Sequence, residues 1–165
     1  MKFRCQPVEL DFLERASYRF VNAVELEASA ERVFEIFTDG PAWVAWFPEI
    51  REVIWTSPQP HAVGTTRTVV LTTMTVYERF LAWEPGRRFS FCFTAASLPT
   101  FRSLVEDYRL EPMGTDRCRL TWTACYEPRA LLRLVHPVAS RQFSAMFSRA
   151  SEGLAAYVRG ASSGP

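Results

Sequence analysis

Residues 20–50 carry a strand pattern, a capped helix pattern and an aromatic helical turn in unbroken succession. The first part, Val21-Asn22-Ala23-Val24-Glu25-Leu26-Glu27, alternates as a half-buried strand does. Ser29 follows as an N-cap, and Glu31 sits in the first turn, where a negative charge complements the helix dipole. Ala30, Val33, Phe34 and Phe37 form an apolar stripe at helical spacing. Gly40 is placed to take a left-handed stop and Pro41 to begin a second helix. That helix carries Trp43, Trp46 and Phe47 and ends at Pro48. So much aromatic surface in so short a stretch demands a large partner surface, and a curved sheet around a helix supplies one.

The chain is long enough for one domain and too short for two ordinary ones, at 165 residues. It contains 13 Phe and 5 Trp, enough to build wide apolar walls as well as a core. A net charge of +1 offers no electrostatic footprint for nucleic acid. Lys2 is the only lysine, so no buried lysine exists to form a Schiff base. Cys5, Cys92, Cys118 and Cys125 contain no CxxC pair, and no signal peptide pattern precedes them. Reduced thiols and a cytoplasmic location are therefore expected. No apolar run approaches the roughly 18 residues needed to span a bilayer, so no stable membrane insertion is expected.

Residues 1–17 have neither helical nor strand period and read as an N-terminal extension packed on the surface. Residues 18–160 read as a single domain and 161–165 as a disordered tail. After Pro48 the pattern turns to strands, at residues 52–56, 65–71, 75–83, 89–94, 102–111 and 118–126. Turns fall at residues 57–64, 72–74 and 112–116 and at Pro85-Gly86. Phe89, Phe91 and Phe93 share one strand face; Cys118 and Cys125 fall on opposite faces of theirs. Beyond Pro128 the period becomes helical. Phe143, Met146, Phe147, Ala150, Leu154, Tyr157 and Val158 make one long amphipathic helix after Pro137. Strands joined by short turns pair antiparallel. The fold class is α+β: a seven-stranded antiparallel curved sheet wrapped around a long C-terminal helix. Two short helices lie between strands 1 and 2.

That order resembles the helix-grip fold of the SRPBCC superfamily, which includes START lipid-transfer domains and polyketide cyclases. The residues carrying the resemblance are Ala28-Ser29-Ala30-Glu31-Arg32-Val33-Phe34 and Trp43-x-x-Trp46-Phe47-Pro48. They continue with Glu78 before Pro85-Gly86-Arg87-Arg88-Phe89, and with Tyr108-x-Leu110-x-Pro112-x-Gly114-Thr115 before Leu120. Pro85-Gly86 departs from the superfamily's commoner Pro-Pro. The resemblance implies an internal cavity and a hydrophobic guest, but one scaffold hosts carriers, sensors and cyclases.

No metal or cofactor is expected: His61 and His136 have no ligand partner at helical spacing, and no nucleophile elbow or glycine-rich phosphate loop is present. Two carboxylates stand out. By period 2, Glu106 shares a face with Leu104, Tyr108 and Leu110, and Glu78 with Val76, Phe80 and Ala82. An inward carboxylate must find a hydrogen bond or an arginine, or else hold its proton. Glu78 and Glu106 are thus the candidate catalytic or ligand-orienting groups. The competing reading is a rim position, or a structural ion pair with Arg67 or Arg102. Candidate ligand-binding residues are Trp43, Trp46, Phe47, Arg67, Phe80, Phe91, Tyr108, Trp122, Phe143, Met146 and Phe147. The three aromatics from Trp43 to Phe47 are either a lid or a seal at the closed end. Arg79, Arg109 and Arg119 point to the outer face.

Three functions remain in play. The first is binding or transport of a hydrophobic small molecule such as a lipid, isoprenoid or polyketide. The second is a cyclase, aromatase or dehydratase with the inward carboxylates as acid and base. The third is a non-enzymatic interaction domain with a filled core.

Overall fold

The computed structural model describes residues 1–162. Chain order runs β1 (Phe3–Arg4), α1 (Phe12–Arg15), β2 (Tyr18–Leu26), α2 (Ala30–Thr38), α3 (Gly40–Trp46) and β3 (Ile50–Trp55). It continues with β4 (Thr66–Leu71), β5 (Thr75–Glu84), β6 (Arg88–Ala96), β7 (Phe101–Pro112), β8 (Cys118–Pro128), α4 (Ala130–Leu134) and α5 (His136–Ser162). Seven strands form one antiparallel path, β2-β8-β7-β6-β5-β4-β3. Strands β3 to β8 are a meander, and the early strand β2 closes onto the last, β8. The sheet stays open between β2 and β3 and curves around α5. This is the expected α+β helix-grip architecture.

Local chemistry sets the element ends. The Ser29 side chain accepts a hydrogen bond from the Arg32 backbone N–H at 3.2 Å, capping α2. The expected left-handed stop at Gly40 does not occur. Asp39 breaks the helix in an extended conformation, and Gly40 is already the first residue of α3, with Pro41 behind it. A Cβ on Gly40 would lie 3.3 Å from the Val53 carbonyl oxygen, so close packing against β3 accounts for the glycine. A bulge between Phe80 and Ala82 shifts the period of β5. Trp83, not Ala82, then continues the inner aromatic row, against Phe80, Phe89 and Phe34.

Residues 1–17 do more than lie on the surface. The pairing of β6 with β7 stops at Cys92 and Val105, and residues 3–6 insert where the two strands splay. Cys5 N–H donates to the Thr94 carbonyl and Gln6 N–H to that of Arg102. Further on, Val8 and Phe12 bury themselves on the convex face with Leu81, Cys92, Val105 and Cys125. Arg79, Arg109 and Arg119 also lie on that side, paired with Glu9, Asp107 and Glu25. All four cysteines are free thiols, and burial pushes each one up from its ordinary pKa. At the other end α5 runs to Ser162, and the rest of the expected tail, residues 163–165, lies outside the described residues.

Helix α5 approaches α3 closely at Gly153, where an added Cβ would clash with the Trp46 carbonyl oxygen. Only a residue without a side chain lets helix and α3 backbone meet there. Gly153→Ala should therefore destabilise the protein by roughly 1–3 kcal/mol, although alanine is the better helix former by about 1 kcal/mol. A lowered urea midpoint checks this; an unchanged or raised midpoint refutes the close approach.

Candidate functional site

Between α5 and the concave sheet face lies a cavity of about 450 Å³. The alternation of β4 to β8 supplies its walls: Val69, Val76, Phe91, Phe93, Leu104 and Ala124, with Phe101 and Tyr126. Helix α5 supplies Phe143, Met146 and Phe147. The exposed turn residues Thr72 and Thr73 face Gln142 and Ala145 of α5 at the mouth. There Arg149 on α5 pairs with Glu49, 2.7 Å away.

Trp43, Phe47, Arg67, Phe91, Tyr108, Phe143, Met146 and Phe147, with both candidate carboxylates, all line this space. Trp46, Phe80 and Trp122 do not. Trp46 backs Trp43, with ring centroids 4.7 Å apart. Phe80 lies behind Arg67, against Phe89 and Phe91. Trp122 stacks on Tyr108 at 4.8 Å, and its ring edges a separate small void of about 30 Å³ beside Phe20 and Asn22. Trp43 and Phe47 are both buried and both line the cavity.

The polar residues come together by strand register. Arg67 on β4 stands directly opposite Glu78 on β5. Its Nε donates to Glu78 Oε2 at 2.5 Å, with both side chains almost fully buried. The pair is Arg67's, not Arg102's. The guanidinium is boxed by rings, 4.5 Å from Trp43 and 4.8 Å from Phe91, and its Nη1 has no hydrogen-bond partner. Such cation–π contacts replace part of the hydration that burial removes. Burial pushes the Glu78 carboxyl up, against the pull of Arg67.

Glu106 and Tyr108 are two apart on β7 and share its inner face, and Trp122 of β8 stands opposite Tyr108. Tyr108 O–H and Trp122 Nε1–H both donate to Glu106 Oε2, at 2.7 and 2.9 Å. Burial is the largest influence on Glu106 and pushes its pKa up to about 7, with the two hydrogen bonds pulling the other way. Burial and the neighbouring Glu106 raise Tyr108. The site therefore holds a fixed ion pair and a carboxyl able to gain or lose a proton near neutrality. Among the described residues no group of three or more His, Cys, Asp or Glu side chains could hold a metal ion.

Some lining residues lay beyond sequence reasoning. Glu49 and Arg149 are a hundred positions apart, and neither carries a local signal. Phe93 had one, because it shares a strand face with Phe91.

A curved antiparallel sheet gripping a helix over an internal cavity defines a helix-grip protein of the START and polyketide cyclase type. The chain belongs to the polyketide cyclase/dehydrase and lipid transport family, whose model matches residues 17–159. An uncharacterized protein of Mycobacterium tuberculosis is 41% identical over 122 residues, 73% of this chain and 72% of that one. Among solved structures, TTHA0849 from Thermus thermophilus superposes with a TM-score of 0.72 at 17% identity, covering 88% of this chain and 100% of that one. A START superfamily protein from Mycobacterium smegmatis gives 0.67 at 17% identity, covering 83% and 96%. The Zhui aromatase/cyclase from Streptomyces gives 0.63 at 16% identity, covering 82% and 93%. At such identities the structures share the fold. Among the described residues, no helix is long and apolar enough to cross a membrane.

Two measurements check the polar cluster. Glu78→Gln leaves the buried Arg67 charge uncompensated and should cost about 3–5 kcal/mol by chemical denaturation. Glu106 acts through pH. Between pH 4.5 and about 7 the folded protein holds a proton there that the unfolded chain has already released. Stability thus falls as pH rises through that window and is level above it. Glu106→Gln should flatten that slope and raise stability near pH 8 by about 3 kcal/mol. Parallel pH profiles of the two proteins would refute the assignment.

Proposed function

We propose that this protein binds a hydrophobic small molecule, of lipid, isoprenoid or polyketide type, in its internal cavity. The observation that carries this reading is the cavity itself: about 450 Å³, walled mainly by aliphatic and aromatic side chains, with a few buried polar groups. Small-molecule sites have this size and this mixture. Protein interiors ordinarily fill to crystal-like density, so an apolar space of this size makes physical sense as a place for a guest. The same void speaks against an interaction domain with a filled core.

Acid–base catalysis, as in a cyclase or dehydratase, is the second reading. Glu106 supports it: a carboxyl lining the cavity with a pKa near 7 can both donate and accept a proton at neutral pH. Glu106→Gln would leave the affinity for an apolar guest intact under carriage and abolish turnover under catalysis.

Ala124, buried on β8, lines the cavity and offers a direct test. Ala124→Phe should occupy part of the void. The apolar dye Nile red, followed by its fluorescence, is expected to bind the wild type and to bind the variant at least about tenfold more weakly, with thermal stability retained. Equal binding to both would sink the proposal, and native mass spectrometry of freshly purified protein gives an independent check for a retained guest.

A further inference from the structure

The proposed binding site carries an uneven charge count. Three carboxyl groups line it, Glu49, Glu78 and Glu106, against two guanidiniums, Arg67 and Arg149. Both guanidiniums are already committed, Arg67 to Glu78 at the closed end and Arg149 to Glu49 at the mouth. The rest of the Arg67 head lies against the rings of Trp43 and Phe91. Each guanidinium has a carboxylate partner, so among the described lining residues no uncompensated positive charge is left for an anionic guest, while Arg67 Nη1, which has no hydrogen-bond partner, is a donor open to a neutral oxygen. Glu106 is the carboxyl of the three without an arginine partner: its two donors both reach Oε2, which leaves Oε1 as the oxygen available to a guest.

We infer that the cavity selects guests whose polar end is a neutral oxygen, a phenol, alcohol or ketone, and rejects the matching carboxylates. This rests on the reading of the cavity as a small-molecule site and adds a rule for what enters it. As a carboxylate, Oε1 accepts from a guest hydroxyl; as an acid, the same group donates to a guest carbonyl. A guest carboxylate would meet a like charge in a site of low polarity, where repulsion is strong and unscreened. The groups facing Glu106 do not relieve this. Tyr108 is a neutral donor already used, and Arg67 and Glu78 cancel one another. Tyr126, also in the wall, has its hydroxyl engaged with His136, 2.7 Å between Oη and Nε2. Glu49 and Arg149 cancel at the mouth.

The rule is tested with a matched pair of small aromatics, 2-naphthol and 2-naphthoate, competing against Nile red on the full chain. Near pH 8 the naphthol should bind at least about tenfold more tightly than the naphthoate. Near pH 5.5 the ratio should shrink, because protonated Glu106 no longer repels the anion. Glu106→Gln should shrink it at both pH values. Naphthoate binding as tightly as naphthol near pH 8, or a ratio that neither pH nor the substitution moves, overturns the rule while Nile red binding leaves the cavity reading standing. Failure of Nile red to bind at all overturns both.

Discussion

The architecture depends on an uneven grip between α5 and the bowl beneath it. At Gly153 the helix backbone touches the carbonyl of Trp46, and Ala150, Leu154 and Val158 beside it are buried. About two to three turns earlier the same helix carries Phe143, Met146 and Phe147, which line a void. Gly153 lets the helix seat at one end, and the cavity lies under the large side chains at the other. A helix is stiff over this length, so the wedge between the two ends persists as a cavity. Packing elsewhere follows the ordinary rule that interiors fill to crystal-like density, and this departure is local.

Around the closed end of that wedge the chain concentrates its aromatic surface. Phe37, Trp43, Trp46, Phe89 and Tyr108 are all in ring contact. Each such ring buries enough area to contribute roughly 4–6 kcal/mol as an upper figure. That surplus offsets the several kcal/mol per ion that desolvating Arg67 and Glu78 costs. The ion pair in turn presents no net charge, so Glu106 alone decides the electrostatic character of the closed end. Carriage of a neutral guest and proton transfer to it are both compatible with that arrangement, and they share the same geometry up to the moment of chemistry.

Much of the fold was legible because it rests on short-range patterns. Period 2 in 89–94 and 102–111 placed Phe91, Glu106 and Tyr108 inward, and helical period placed Phe143, Met146 and Phe147 on one face. The same rule put Cys118 and Cys125 on opposite faces, and they pack in separate clusters. It failed at the Phe80–Ala82 bulge, because an extra residue inverts the alternation and no local residue type announces it. Gly40 misled for a related reason: glycine signals a turn in isolation, and here it answers to Val53 across space. The insertion of residues 3–6 between β6 and β7 had no period to read.

By itself the sequence determined which side chains could face inward, the antiparallel meander, and the presence of two carboxylates on inward positions, since all of these follow from periodicity and turn chemistry within a few residues. Tertiary structure alone decided that Arg67 neutralises Glu78 while Glu106 is left to Tyr108 and Trp122, that Trp46 and Phe80 stand behind the wall, and that the helix stops short of filling the bowl. Those outcomes depend on cross-strand register and on one close backbone approach between residues more than a hundred positions apart, distances over which a linear pattern carries no geometric information.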